Sequence, residues 1–256
     1  MISTTTSVSE DIGLRKSYDR EAAHYDERRY HSADGRMFSE LELQVLRSWL
    51  SLTPDSRVLD VPAGTGRLSF ALAASGAQVI AADISANMLH MAATKSGPGL
   101  DVHLTQTSGS ALPFRDNMFD AVVSFKFFHL VANDRKRDFI REMTRVLKPG
   151  GSLIAEFNSP FYGGVLAAIR YYLLKKNPGG MRMKCLFPDQ VSALFEGLEV
   201  RRTRGIKLPL SGPLVKMLGR RRADKLDSWF GCLPGVKYLS YVIIVEAKKP
   251  LAGKQS

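Results

Sequence analysis

The stretch VLDVPAGTG (58–66) constrains this chain more than any other. A short apolar, β-branched run ends in Asp60, and a turn with glycine at 64 and 66 follows. RLSFALAAS (67–75) then takes helical spacing until Gly76 stops it. Strand, glycine turn and helix in that order predict a βα unit with an open crevice at the strand's carboxyl end.

The same alternation continues downstream. QVIAAD (78–83) reads as a second strand and SANMLHMAAT (85–94) as a helix with Ser85 as its N-cap. DVHLTQ (101–106) and FDAVVSF (119–125) read as the third and fourth strands. A helix over 134–147, with Asn133 as cap, is expected to stop at Lys148-Pro149-Gly150-Gly151, before a fifth strand SLIAEF (152–157). Such alternation predicts parallel strands covered on both faces. LEVRRTRGI (198–206) and KYLSYVIIVEAKK (237–249) read as an antiparallel pair finishing the sheet. The expected fold is α/β: a Rossmann-like seven-stranded, mostly parallel sheet with helices on both faces and an antiparallel final strand. Residues 1–50 are expected as an N-terminal helical cap. Residues 51–256 are expected as the main domain, with an insertion within about 158–236.

Composition excludes several classes. The 256 residues are 45% apolar and 24% charged, enough to build a core. Two cysteines, Cys185 and Cys232, do not make a disulfide scaffold. Apolar runs break well before the roughly 18–20 residues of a membrane span, and Met1–Glu10 lacks the basic and apolar regions of a secretory signal. A cytoplasmic protein is expected. The five histidines are scattered without metal-ligand spacing, so no metal is expected. Net charge is +11. That admits a nucleic acid, an anionic membrane surface or an acidic substrate, or only solubility.

Gly64 and Gly66 let the backbone approach a ligand, and the helix start offers free N–H groups to an anionic part of it. Asp83 ends the second strand, on the same sheet edge, where a carboxylate can accept from both hydroxyls of a ribose. A dinucleotide fingerprint needs a third glycine, and Ser69 stands there instead.

VLDVPAGTGRLSFALAASGAQVIAADISANML, ALPFRDNMFDAVVSFKFFHLV and RVLKPGGSLIAEF resemble the class I S-adenosylmethionine-dependent methyltransferases, in particular the ubiquinone and menaquinone biosynthesis branch. SYDREAAHYDERR is similar to that branch's lead-in. The resemblance covers about residues 17–157 and implies S-adenosyl-L-methionine as cofactor. It implies that Asp60 helps fix the glycine loop and the methionine amino group, with Ala63, Gly64 and Gly66 at the methionine portion. Asp83 would take the ribose hydroxyls and Ile84 the adenine face. Thr107, Ser108 and Gly109 would meet the adenine edge, although the family usually has Asp where this chain has Ser108. Ser124 and Phe125 would line the pocket below the sulfonium, and Tyr25 would close over the cofactor. His129, just past the fourth strand, is the candidate general base, with a packed, hydrogen-bonded residue as the alternative.

The acceptor is expected to be a small apolar or amphiphilic molecule: a quinone, a lipid or a natural product. FYGGVLAAIRYYLLKK (161–176) and KLPLSGPLVKMLGRRR (207–222) combine apolar and basic residues. They are read either as an acceptor cover with peripheral contact at an anionic membrane or as amphipathic helices packed on the sheet. Nucleic acid is disfavoured: the fourth strand is followed by FKFFHL and not by an Asn/Asp-Pro-Pro-aromatic motif, Asn158-Ser159-Pro160-Phe161 comes after the fifth strand, and neither cysteine follows a proline. An RNA or protein methyltransferase and a non-catalytic S-adenosylmethionine-binding protein are the alternatives.

Overall fold

In the computed structural model, residues 3–159, 188–207 and 236–251 are described, with 222, 225–226 and 229–233 between the last two. Three helices come first: α1 (Ser3–Glu21), α2 (Tyr25–Tyr30) and α3 (Ala33–Trp49). The βα alternation runs β1 (Arg57–Asp60), α4 (Arg67–Ala73), β2 (Gln78–Asp83), α5 (Ala86–Ala93), β3 (Val102–Gln106), β4 (Phe119–Ser124), α6 (Lys136–Val146) and β5 (Leu147–Asn158). α7 (Pro188–Leu194), β6 (Glu199–Ile206) and β7 (Val242–Lys248) follow, and short 3-10 turns lie at Ala22–His24 and Val236–Leu239.

The seven strands form one sheet in the order β3-β2-β1-β4-β5-β7-β6. β1 to β5 pair in parallel, and β7 runs antiparallel between β5 and β6. The predicted seven-stranded, mostly parallel sheet is therefore the observed one. The strand order reverses at β1 and β4, so their carboxyl ends open a crevice.

Strand alternation sorts the core into two faces. Val58, Val79, Val123 and Ile244 pack with Leu41, Val45 and Leu46 of α3 and Leu68 and Leu72 of α4. Leu59, Val122, Leu153 and Val245 pack on the other face with Phe139, Ile140 and Met143 of α6 and with Val191 and Leu194 of α7. α3 is thus part of the core, whereas α1 and α2 lie over the strand ends.

Two local readings shift. Lys148–Gly151 does not simply end a helix: β5 begins at Leu147 directly after α6, and Gly150 takes φ +78 while its N–H donates to Lys249 O. The residue before α6 is Arg135, which makes no side-chain cap, and Asn133 Oδ1 instead accepts from Lys136 Nζ at 2.6 Å. Ser85 caps α5 as expected, its Oγ accepting from Met88 N–H at 3.1 Å. Segments 161–176 and 208–221, most of the expected acceptor cover, lie outside the described residues.

Candidate active site

The carboxyl ends of β1, β2 and β4 and the N-terminal helices line an open cleft. Its floor carries Asp60, Ala63, Gly64, Asp83, Ile84 and Phe125. Leu14, Tyr18, Tyr25 and Tyr30 come from the helical side. A second recess shares Leu14, Pro62, Asp83, Ile84 and Phe127 with it and extends to Thr107, Ser108 and Gly109.

The glycine loop is held from β2. Gly64 N–H donates to Asp83 Oδ2 at 2.8 Å, and Ser85 N–H donates to Asp83 Oδ1 at 2.8 Å. Burial raises the Asp83 pKa, although those N–H donors favour its charged form. Each carboxylate oxygen retains a second lone-pair site for a ligand hydroxyl. Gly64 sits at φ +56 with open space where a Cβ would stand, leaving the backbone bare toward the cleft. Gly66, at φ +81, has a different task. A Cβ there would meet the Phe70 ring at 2.5 Å, so glycine is needed for packing at the start of α4.

Asp60 does not bond the glycine loop: its Oδ2 accepts from Ser69 Oγ at 2.6 Å. Burial pushes the Asp60 carboxyl up to about 7, against the pull of Ser69 and the nearby Arg67 cation. Ser69, the residue where a third glycine would stand, is thereby tied to the strand end. Ser124 is fully buried, its Oγ has no hydrogen-bond partner among the described residues, and it lines neither recess. His129 also lines neither. Burial, with the Arg29, Lys126 and Lys136 cations, pushes its imidazole down to about 3. It is neutral at physiological pH and too weak a base to collect a proton there, so the expectation of a general base finds no support in this geometry.

Sequence reasoning missed two groups of functional residues. The first is a buried charge cluster. Glu42, on α3 and wholly buried, receives Lys126 Nζ on one carboxylate oxygen and Arg67 Nη2 on the other. Glu156 Oε2 lies 3.9 Å from Lys126. Burial pushes Glu156 up to about 8, whereas Lys126 and Arg67 overcome the burial of Glu42 and lower it. Lys126 and Arg67 both line the cleft. Lys126 takes φ +55, a left-handed backbone that a non-glycine residue rarely holds. Its ammonium lies 5.1 Å from the Phe38 ring centre.

The second group belongs to the helical side. Asp11 Oδ2 accepts from Ser108 Oγ at 2.8 Å, Asp19 Oδ1 from Ser85 Oγ at 2.6 Å and Asp26 Oδ1 from Thr65 Oγ1 at 2.5 Å. Three carboxylates thus grip the loops after β3, β2 and β1. Arg135 pairs with Asp11 at 3.0 Å, and Lys95 pairs with Asp26. Asp11 and Asp19 lie on α1 and Asp26 on α2, and in the sequence each reads only as an acidic residue on a helix surface. Among the described residues no His/Cys/Asp/Glu group could hold a metal.

A family model described as a methyltransferase domain matches residues 58–151, from β1 into β5. A demethylmenaquinone methyltransferase of Corynebacterium urealyticum is 40% identical over 157 residues, covering 59% of this chain and 64% of that enzyme. Its counterpart in a Parafrankia species is 34% identical over 214 residues, covering 73% of this chain and 82% of that enzyme. Several of these relatives are thus matched over less than two thirds of their own length. Among solved structures, the Synechocystis magnesium protoporphyrin IX methyltransferase with bound S-adenosylhomocysteine superposes with a TM-score of 0.66 at 17% identity, over 92% of this chain and 98% of that one. An S-adenosylmethionine-dependent methyltransferase of Methanosarcina mazei superposes at 0.57 and 21% identity, over 81% of this chain and 97% of that one. These likenesses show the fold, and the sequence relatives show the family. The bare glycine loop and the carboxylate of Asp83 fit the cofactor of that family. This chain belongs to the S-adenosylmethionine-dependent methyltransferases.

Proposed function

We propose that the acceptor is a hydroxylated aromatic molecule of the quinol type, small and apolar or amphiphilic. The observation that carries this reading is the pairing of an aromatic wall with a fixed cation. Tyr18, Tyr25, Tyr30, Phe125 and Phe127 line the cleft together with Lys126 and Arg67. The curated relatives are demethylmenaquinone methyltransferases, which methylate a quinone-type molecule.

On this reading the cofactor lies along the glycine loop, its ribose at Asp83, its adenine beside Ile84 and Ser108, and its methionine end near Asp60, Ala63 and Gly64. When bound it supplies an electrophilic methyl group. The chain's own work is then mainly placement. Holding an acceptor atom in line with the departing sulfur supplies much of the rate effect. Tyr18 and Tyr25, whose rings meet edge to face at 6.2 Å, exclude water from one side. Burial pushes the Tyr18 phenol up to about 12, so it serves as a hydrogen-bond donor and not as an anion. The ammonium of Lys126 steadies negative charge on an acceptor oxygen as its ring becomes nucleophilic. No separate base is required, because Lys126 and Arg67 favour an acceptor that arrives ionised or loses its proton to solvent.

We further propose a cytoplasmic protein that meets an anionic membrane peripherally, a reading supported by the +11 charge and by the apolar acceptor. Among the described residues no helix is long and apolar enough to cross a membrane.

The test is incubation of the purified protein with methyl-labelled S-adenosylmethionine and a lipid-soluble metabolite extract, followed by mass spectrometry. Label in a hydroxylated aromatic product supports the proposal. Label in RNA, protein or a polar metabolite only, or in nothing despite tight cofactor binding, overturns it.

A further inference from the structure

The loop after β3 poses a chemical problem. Ser108 occupies the position where the family resemblance leads one to expect a carboxylate, and a neutral hydroxyl makes a weaker bond to an amino group than a charged acceptor does. The structure places a carboxylate there all the same, but from a different part of the chain. Asp11 on α1 lines the same recess as Thr107, Ser108 and Gly109, together with Ile84 and Leu14. Its Oδ2 accepts from Ser108 Oγ at 2.8 Å, and its Oδ1 from Arg135 Nη1 at 3.0 Å.

We infer that Asp11 is the adenine-reading carboxylate of this enzyme, accepting from the exocyclic amino group across the recess it shares with Ser108. The inference rests on the cofactor placement proposed above. Three features of the site support it. A carboxylate has about four lone-pair sites, and the two contacts above leave one on each oxygen open to a further donor. The Asp11 and Arg135 side chains are only 19% and 15% exposed, so the acceptor is fixed in place and partly shielded from water. Arg135, whose guanidinium also lies 5.5 Å from the Phe139 ring centre, holds Asp11 through the oxygen that Ser108 does not use. Phe139 in turn closes the recess beneath Gly109, where even a Cβ would come within 3.2 Å of the ring.

A consequence separates this arrangement from one in which the loop itself carries the acid. Here the adenine contact exists only when α1 lies on the strand ends. Base recognition and closure of the helical side are therefore coupled, and a cofactor lacking the amino group should hold α1 in place less firmly.

The experiment is a cycle of binding measurements by titration calorimetry. The ligands are S-adenosylhomocysteine and its analogue with hydrogen in place of the exocyclic amino group. The proteins are the wild type, Asp11→Ala, and Asp11→Ala combined with Ser108→Asp. In the wild type, removing the amino group should weaken binding at least about tenfold, the size of one hydrogen bond to a charged group. In Asp11→Ala the same change should cost about twofold or less. Adding Ser108→Asp, which returns a carboxylate to the loop, should restore most of the discrimination. Full discrimination persisting in Asp11→Ala would overturn the inference and leave Asp11 as a clamp on α1. A wild type that binds both ligands equally would instead show that the adenine does not lie at this edge, which would overturn the placement beneath it. Asp11→Asn keeps the shape of the side chain and should give an intermediate ratio. If it discriminates as fully as the wild type, the charge is not what reads the amino group.

Discussion

Ser85 is held from two sides by two very different aspartates. Its backbone N–H donates to Asp83 at the end of β2, while its hydroxyl donates to Asp19 on α1. Asp83 is buried and belongs to a strand whose neighbours on both sides are hydrogen-bonded in register. Asp19 belongs to α1, which meets the strand-end loops through side-chain contacts of Asp11 and Asp19, as α2 does through Asp26. The two halves of the cleft therefore differ in what holds them. The strand-end half is set by the core and the backbone ladder. The helical half is set by a few polar contacts near the surface, where each is worth about 0.5–1.5 kcal/mol. A cleft built this way has one rigid wall and one wall that is able to open, and ligand contacts bridging both walls favour the closed state.

The largest expected effect tests whether α3 belongs with the rigid wall. Glu42→Ala leaves Lys126 and Arg67 facing each other in the interior without their shared carboxylate. Removing one partner of a buried ion pair costs about 3–5 kcal/mol. For a domain of this size that lowers Tm by roughly 6–20 °C, measurable by calorimetry. A change under about 2 °C would move α3 to the peripheral side of the comparison.

The next effect sharpens the contrast between the two aspartates. Asp83→Ala removes the acceptor for Gly64 and Ser85 and, on the proposed cofactor placement, for the ribose, so cofactor affinity should fall by at least about 30-fold. Asp19→Ala removes one contact of the opening wall and should cost about three- to fivefold on the same grounds. Equal losses, with both variants folded, would erase the distinction.

A third effect concerns pH. In the folded protein, burial raises Glu156 from the ordinary 4.5 to about 8 and Asp60 from 3.8 to about 7. Across that window the folded state binds more protons than the unfolded chain, so stability falls as pH rises from about 4 to 8. His129 acts in the opposite sense at lower pH: held at about 3 when folded, it makes stability rise with pH up to about 6.5. Denaturation in urea at stepped pH should show the decline toward pH 8, and Glu156→Gln should flatten its upper part. An unchanged slope in that variant would mean that Glu156 is already ionised in the fold.

How much of this was legible in the sequence follows the same division. The strands and helices from Arg57 to Phe157 were readable because their signals are local: β-branched runs, a glycine turn and helix stops. Asp83 and Gly64 were readable for the same reason, since a strand end and a turn fix their place. The antiparallel pair of β6 and β7 was also legible: β7 carries a continuous apolar run, and the sequence between the two strands carries no helix-period run long enough for a simple crossover. The cluster of Glu42, Lys126, Arg67 and Glu156 was not, because its members come from α3, the loop after β4, α4 and β5 and meet only in the folded core. Asp11 and Asp26 were invisible for a similar reason: an acidic residue on a helix reads as a solvated face until its partner loop is known. His129 looked suited to proton transfer by position, but local position does not reveal the burial and three cations that lower its pKa.

The central claim is that one cofactor site is shared between the fixed strand ends and the movable N-terminal helix. Hydrogen exchange read by mass spectrometry, with and without saturating S-adenosylhomocysteine, tests it most directly. The account predicts slowed exchange in both the glycine loop, residues 61–66, and the helical segment 11–21. Protection of the glycine loop with no change in residues 11–21 would contradict it.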